Sequence, residues 1–141
     1  MFLGESRHSL DAKGRVILPV RFRVELDAGL TITKGLDGCL WVMSRDEWTE
    51  LSRRIIQKTS IADPRRRNFA RFIFSGASED RPDKQGRILV PETLRDHAAL
   101  EREVIVAGAG ERIEIWNPDR WNEKRVAAEE RLEEDIAGLE L

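Results

Sequence analysis

Asp11-Ala12-Lys13-Gly14-Arg15-Val16-Ile17-Leu18-Pro19 is written a second time as Asp83-Lys84-Gln85-Gly86-Arg87-Ile88-Leu89-Val90-Pro91. Asp, Gly, Arg and Pro keep their spacing, and the three positions between Arg and Pro are apolar in both copies. A repeat of this kind sets the architecture before any element is assigned. Glycine between a charged pair reads as a tight turn, because it accepts the positive φ that a hairpin often needs. The apolar triplet that follows reads as a short buried strand closed by proline.

The pattern around the two phrases also repeats. After Pro19, Phe22 and Leu26 mark a short helix over Val20 to Leu26. Leu30-Thr31-Ile32-Thr33 reads as a strand, Gly35 to Gly38 as a turn, and Cys39 to Met43 as the returning strand. Ser44 with Glu47 forms a capping box, and Trp48, Leu51 and Ile55 continue at helical spacing. Asp63-Pro64 breaks that helix, and Phe69, Phe72 and Phe74 resume an apolar pattern. In the second copy Glu92 to Leu100 is the short helix, Val104 to Val106 and Arg112 to Trp116 are strands, and Asn117-Pro118 opens a last helix. The motifs are offset by 72 residues and Trp48 and Trp121 by 73, so one residue is inserted between the second short helix and its strand. Each half alone would leave strand edges open. Two halves pairing those edges around a pseudo-two-fold axis is the economical solution.

The bulk numbers exclude several classes. With 141 residues, 40% hydrophobic and 35% charged, the chain reads as a well-charged globular protein. Its single cysteine, Cys39, leaves no intramolecular disulfide and suits a reducing cytosol. The opening Met1-Phe2-Leu3-Gly4-Glu5 does not read as a signal peptide, and no apolar run reaches the roughly 18 residues of a membrane span. Net charge is −2, but the charge is segregated. From Arg7 to Arg23 it is +4, from Arg53 to Arg71 it is +6, and from Asp119 to the end it is −4. Local field rather than net charge decides where a polyanion lands.

Enzymatic signatures are lacking. The sequence has no Walker loop, no His-Glu-x-x-His and no defensible Ser-His-Asp order. Asp11 and Asp83 each have an arginine four residues on, which favours the ionised carboxylate and makes a poor general acid. His8 and His97 have no partner at ligand spacing, so no metal or other cofactor is expected.

Met1-Phe2-Leu3-Gly4, His8, the first motif and Phe22-Arg23, taken with the second motif and Glu114-Ile115-Trp116, resemble the MraZ family from residue 1 to about residue 125. Ser6 departs from the pattern, since the family often has an aromatic residue there. The resemblance implies a bacterial transcriptional regulator related in fold to the AbrB/SpoVT swapped-hairpin DNA-binding domains. It implies binding to short direct repeats ahead of the division and cell-wall gene cluster, assembly into rings of several subunits, and a cytoplasmic, nucleoid-associated place. The expected fold is α+β: two tandem AbrB/SpoVT-like repeats around a small pseudo-two-fold, β-barrel-like core, with short helices and a C-terminal helix. The expected organisation is a first repeat at 5–50, a helix and basic connector at 51–76, a second repeat at 77–121 and an acidic C-terminal helix at 122–141.

Carried onto this chain, the family's characteristic surface is Asp11 with Arg15 and Asp83 with Arg87. Charge context divides them. Arg15 is expected to be the principal contact to double-stranded DNA, with Asp11 orienting it and Lys13, Arg7, Arg21 and Arg23 beside phosphates. Asp83, Lys84 and Arg87 sit among balancing acids and are expected to do structural or subunit-interface work, with DNA contact as the alternative. The run Arg65-Arg66-Arg67 reads as a solvated loop, or else as a phosphate contact or a salt link to a neighbour's acidic tail. Neither a membrane nor a small-molecule substrate is expected. The competing reading of the whole chain is a protein-only assembly module that binds no DNA.

Overall fold

The two repeated strands pair with each other. In a computed structural model, which describes residues 1–59 and 61–141, strand β2 (Arg15–Ile17) runs antiparallel to β6 (Arg87–Leu89). Arg15 faces Leu89, Val16 faces Ile88 and Ile17 faces Arg87. Shifting each residue by the repeat offset returns the same set of pairs, so the pseudo-two-fold axis passes through the Val16–Ile88 pair.

The same axis organises the main sheet. Its strands are β1 (Glu5–Ser9), β3 (Leu30–Lys34), β4 (Leu40–Ser44), β5 (Ser78–Asp80), β7 (Glu103–Gly108) and β8 (Ile113–Trp116), all antiparallel. Their order is β1-β7-β8-β4-β3-β5. Exchanging the halves reverses this order onto itself, and Trp41 pairs with its own counterpart Glu114 at the centre. The halves are interleaved: β1 pairs with β7 of the second half, and β5 pairs with β3 of the first. Each half covers an edge that the other leaves open, so only the outer sides of β1 and β5 end the sheet.

The expected α+β class and pseudo-two-fold hold, but the core is not a closed barrel. The six-stranded sheet stays open, with β1 and β5 at its edges, and β2–β6 is a separate ribbon. Closure fails because the ribbon strands are only three residues long and bond to each other rather than bridging the edges.

Side chains alternate across the sheet, and both of its faces are covered. Leu30, Ile32, Leu40, Val42, Val104, Val106, Ile113 and Ile115 join one core with Val16, Leu18, Ile88 and Val90 of the ribbon strands and their continuations. Helices α1 (Val20–Leu26) and α4 (Glu92–His97) seal this side through Phe22, Leu26 and Leu94, with Ala98 at the end of α4. On the opposite face Trp41, Met43, Ile105, Ala107 and Trp116 meet α2 (Arg45–Lys58), α3 (Pro64–Gly76) and α5 (Pro118–Glu130). Covering both faces explains why strands such as Val104-Ile105-Val106-Ala107 are apolar without interruption. Trp48 and Trp121 are partly buried against this second cluster.

Caps set the helix ends. Ser44 Oγ accepts the Glu47 amide at 3.3 Å, and Asn117 Oδ1 accepts the amides of Asp119 and Arg120. Arg65-Arg66-Arg67 is not a loop. Asp63 caps the Arg65 amide at 3.0 Å with Pro64 at the first helical position, so the run forms the first turn of α3. Ser60, within the expected 51–76 connector, lies outside the described residues, and α2 runs unbroken through Glu50 and Leu51. The expected single C-terminal helix is two: Arg131 leaves helical geometry, and α6 (Leu132–Ala137) follows.

One buried polar contact ties the layers together. Thr33 Oγ1 donates to the Ile73 carbonyl at 2.7 Å. That carbonyl lies in the last turn of α3, where the Ala77 amide turns instead to Phe74. Thr33→Val keeps the shape and removes the donor. It is expected to cost about 1–2 kcal/mol, read as a lower urea midpoint at unchanged slope.

Candidate nucleic-acid interface

Each repeated turn is built around one carboxylate. Asp11 Oδ1 accepts the amides of Lys13 and Arg15, both at 2.9 Å, and Oδ2 accepts Arg15 Nε at 2.8 Å. The Gly14 amide closes the turn on the Asp11 carbonyl at 3.0 Å. Asp83 repeats the arrangement: Oδ1 takes the amides of Gln85 and Arg87 at 2.9 Å, and Oδ2 takes Arg87 Nε at 2.7 Å. Gly14 and Gly86 both stand at φ +78°, which this turn demands and which other residues adopt at a cost. The motif therefore encodes a turn in which the aspartate holds the backbone and aims the guanidinium at once.

Those bonds ionise the carboxylates firmly. The Arg15 amide first, then the Arg15 guanidinium and the Lys13 amide, hold Asp11 below its ordinary 3.8. The Arg87 amide, its guanidinium and the Gln85 amide do the same for Asp83. A carboxyl with a depressed folded pKa contributes stability above its ordinary pKa and loses it as pH falls through the lower folded value. The turns should therefore be indifferent to pH from neutrality down to about pH 5. Carboxyl-carbon NMR titrations of Asp11 and Asp83 should give midpoints below 3.8, with the Arg15 and Arg87 amides shifting at the same midpoints.

The ribbon sets both arginines on one surface. Val16 and Ile88 point into the core, so the alternate positions Arg15, Ile17, Arg87 and Leu89 face outward. Nε of each arginine is held by its aspartate. Among the described residues no hydrogen bond engages the Nη groups of Arg15 or Arg87, and both side chains are 28% exposed.

The remaining candidates are distributed in a way the sequence does not reveal. Arg23 crosses to the other half: its Nε donates to the Leu18 carbonyl at 2.9 Å while its guanidinium lies against Gly86. A Cβ at Gly86 would stand 2.1 Å from Arg23 Cζ, so this close approach requires glycine. Arg95 makes the mirror contact, with Nη1 on the Val90 carbonyl at 3.1 Å and the guanidinium against Gly14. Arg95 was no site candidate, yet it stands 72 residues after Arg23, the offset of the motifs themselves. Each turn is thus roofed by an arginine from the other half. Lys13 is matched by Gln85, and Lys84 by Ala12, so the lysine moves one position between the turns. Arg7 on β1 pairs with Glu103 at 2.7 Å, which offsets its charge. Arg21 donates to the Leu3 carbonyl and lies 4.7 Å from the Phe22 ring centroid, bracing the N-terminal segment.

No other chemistry gathers. Among the described residues no group of three or more His, Cys, Asp or Glu side chains converges for a metal ion. Cys39 is buried, its thiol pushed up by burial and then by Glu114. No helix of the described residues is long and apolar enough to cross a membrane.

Interleaved halves with paired Asp-x-x-x-Arg turns define a duplicated swapped-hairpin protein of mixed α and β structure. The sequence pattern of the family described as "MraZ protein, putative antitoxin-like" matches residues 1–72 and again 73–137, the two matches meeting inside α3. A "Transcriptional regulator MraZ" from Heliobacterium modesticaldum is 46% identical over 100% of both chains. Another from Alkaliphilus metalliredigens is 51% identical over 87% of this chain and 85% of its own, and one from Ligilactobacillus salivarius 45% over 97% and 94%. The chain belongs to the MraZ family, whose members bear the name of transcriptional regulators and not of enzymes.

Proposed function

We propose that the chain regulates transcription by binding double-stranded DNA. Its targets are short direct repeats ahead of a division and cell-wall gene cluster, and it binds as a ring of several copies in the cytoplasm at the nucleoid. The observation that carries the reading is the outer face of the β2–β6 ribbon. There two arginines with unengaged Nη groups stand on adjacent strands, each aimed by an aspartate. Guanidinium forks of this kind suit guanine edges and phosphates. Arg15 and Lys13 are the principal contacts in the first turn. One ribbon gives a small footprint, so several copies engaging several repeats would supply affinity through effective concentration.

One observation modifies the division of labour between the turns. Arg23 and Arg95 exchange turns, which leaves the charge at each unchanged, but Arg7, counted in the positive field at Arg15, is offset by Glu103 at 2.7 Å, and Arg15 and Arg87 are equally exposed on one ribbon face. We therefore infer that Arg87 and Lys84 contact DNA on nearly equal terms with Arg15 and Lys13, with Arg23 and Arg95 bracing the turns. Arg7 and Arg21 act as outlying phosphate neighbours at most, given their partners.

Fluorescence anisotropy with the chain's own upstream region tests the proposal. The repeat-bearing duplex is expected to bind well above a scrambled one. Affinity should fall with log salt at a slope of about −0.9 per phosphate neutralised. Equal binding to both duplexes at every salt would leave the protein-only assembly module as the surviving reading.

A further inference from the structure

Two features on opposite parts of the chain remain unused by the DNA-binding surface. The first is a groove of about 560 Å³ between α2 and α3. Leu51, Ile55 and Phe69 supply its apolar lining. Arg54 and Lys58 edge it from α2, and Arg65 and Arg66 from α3. Among the described residues lining it the one acid, Asp63, is engaged with the Arg65 amide and lies 3.4 and 3.5 Å from the Nε atoms of Arg65 and Arg66, and Glu50 outside it lies 3.9 Å from Arg54 Nε. The groove therefore has an apolar lining and a surplus of positive charge.

The second feature is the C-terminal segment. Every residue from Val126 to Leu141 is exposed, and Leu132, Ile136 and Leu139 keep 49%, 44% and 58% of their surface in solvent, so α6 buries no side chain in its own chain. Leu132 and Ile136 lie one turn apart on α6 and Leu139 follows just past its end, so an apolar stripe runs along the helix and beyond it. Glu133, Glu134 and Asp135 occupy the rest of the first turns. A six-residue helix has little stability by itself and gains it by burying such a stripe.

We propose that the α2–α3 groove receives the acidic C-terminal helix of a second copy of this chain. The segment brings what the groove lacks: Leu132 and Ile136 on α6, with Leu139 beyond its end, for the apolar lining, and acids for a basic rim. Helix-in-groove docking uses this pairing of anchors and flanking charge. A nucleic-acid strand would satisfy the rim but leave Leu51, Ile55 and Phe69 in water. Groove and helix are different surfaces, so the contact is head-to-tail and propagates from copy to copy until it closes. The inference rests on the multisubunit part of the functional reading and names the surfaces that join.

Sedimentation of the full chain without DNA tests it by charge reversal. Arg54→Glu with Arg65→Glu reverses the groove, and Arg65→Glu places an acid where a helix start favours one. Glu133→Lys with Glu134→Lys reverses the tail. Each pair alone is expected to raise the concentration for half-assembly roughly tenfold or more, and all four together to restore it to within about threefold. Unchanged assembly in either double variant, or no recovery in the fourfold variant, overturns the inference while leaving the DNA reading intact. An unaltered chain that stays monomeric across the micromolar range sinks the ring itself. Groove reversal that spares assembly and weakens DNA binding assigns the groove to nucleic acid instead.

Discussion

Arg15→Ala should weaken binding to the repeat-bearing duplex by roughly 10- to 100-fold, the effect of losing one forked base contact worth about 1–3 kcal/mol. Arg87→Ala should do nearly the same, within about threefold. The reason is geometric: each guanidinium is held through Nε by its own aspartate at 2.8 or 2.7 Å, is 28% exposed, and lies on the outer face of one ribbon. Truncation also frees an aspartate to repel phosphate, so Asp11→Asn combined with Arg15→Ala should recover a small part of the loss. Thermal melts should move little, because these ion pairs are exposed and contribute little to stability. If Arg87→Ala kept full affinity while Arg15→Ala lost it, the two turns would differ in role, and the second would be the assembly-side copy.

The largest stability effect is expected at the N-terminus. Phe2 is 1% exposed and meets Phe22 edge-on at 5.3 Å, although it lies one residue from the chain start. It is held by a bridge to Gly110, with Phe2 N–H donating to the Gly110 carbonyl at 2.8 Å and Gly110 N–H returning at 3.0 Å. Gly108 lies directly beneath: a Cβ there would stand 2.4 Å from the Phe2 carbonyl carbon and 2.5 Å from the Leu3 nitrogen. Those atoms are backbone and cannot rotate away. Phe2→Ala should cost about 3–5 kcal/mol. Gly108→Ala should cost about 2–4 kcal/mol, because the first three residues must lift to admit it. Both changes act on the same contact, so the double variant should fall short of the summed cost by about 1.5 kcal/mol or more. Strict additivity in urea denaturation would show that Gly108 acts elsewhere.

Much of the fold was legible from the repeat. Strand and helix positions followed from the apolar triplets, the paired Phe22 and Leu26, and the caps Ser44 and Asn117, because these are local features that short-range chemistry decides. The turn chemistry of Asp11 and Asp83 was legible for the same reason. Two things were not. The Arg65 run looked like a loop because a string of arginines carries no apolar period, and the Asp63-Pro64 pair was read as a stop when it is also a start. The C-terminal segment read as one helix because nothing in its composition marks the break at Arg131. The barrel-like core came with the family resemblance, whereas the edge argument pointed to halves pairing their edges, which is what the open sheet does.

The site shows the same boundary. By itself the sequence determined that there are two Asp-x-x-x-Arg turns, that each aspartate serves the turn amides or its arginine, and that the halves are copies. Those are contacts between residues four apart, set by spacing and by glycine at the turn. Tertiary structure alone decided that the two motif strands are neighbours and that Arg23 and Arg95 trade places across the axis. It also decided that Arg7, whose charge counts toward the first turn along the chain, is offset by Glu103 across the β1–β7 pair. Contacts between residues some 72 positions apart depend on which edge each strand finds. That choice is made by the burial of two shared cores, which no single segment records.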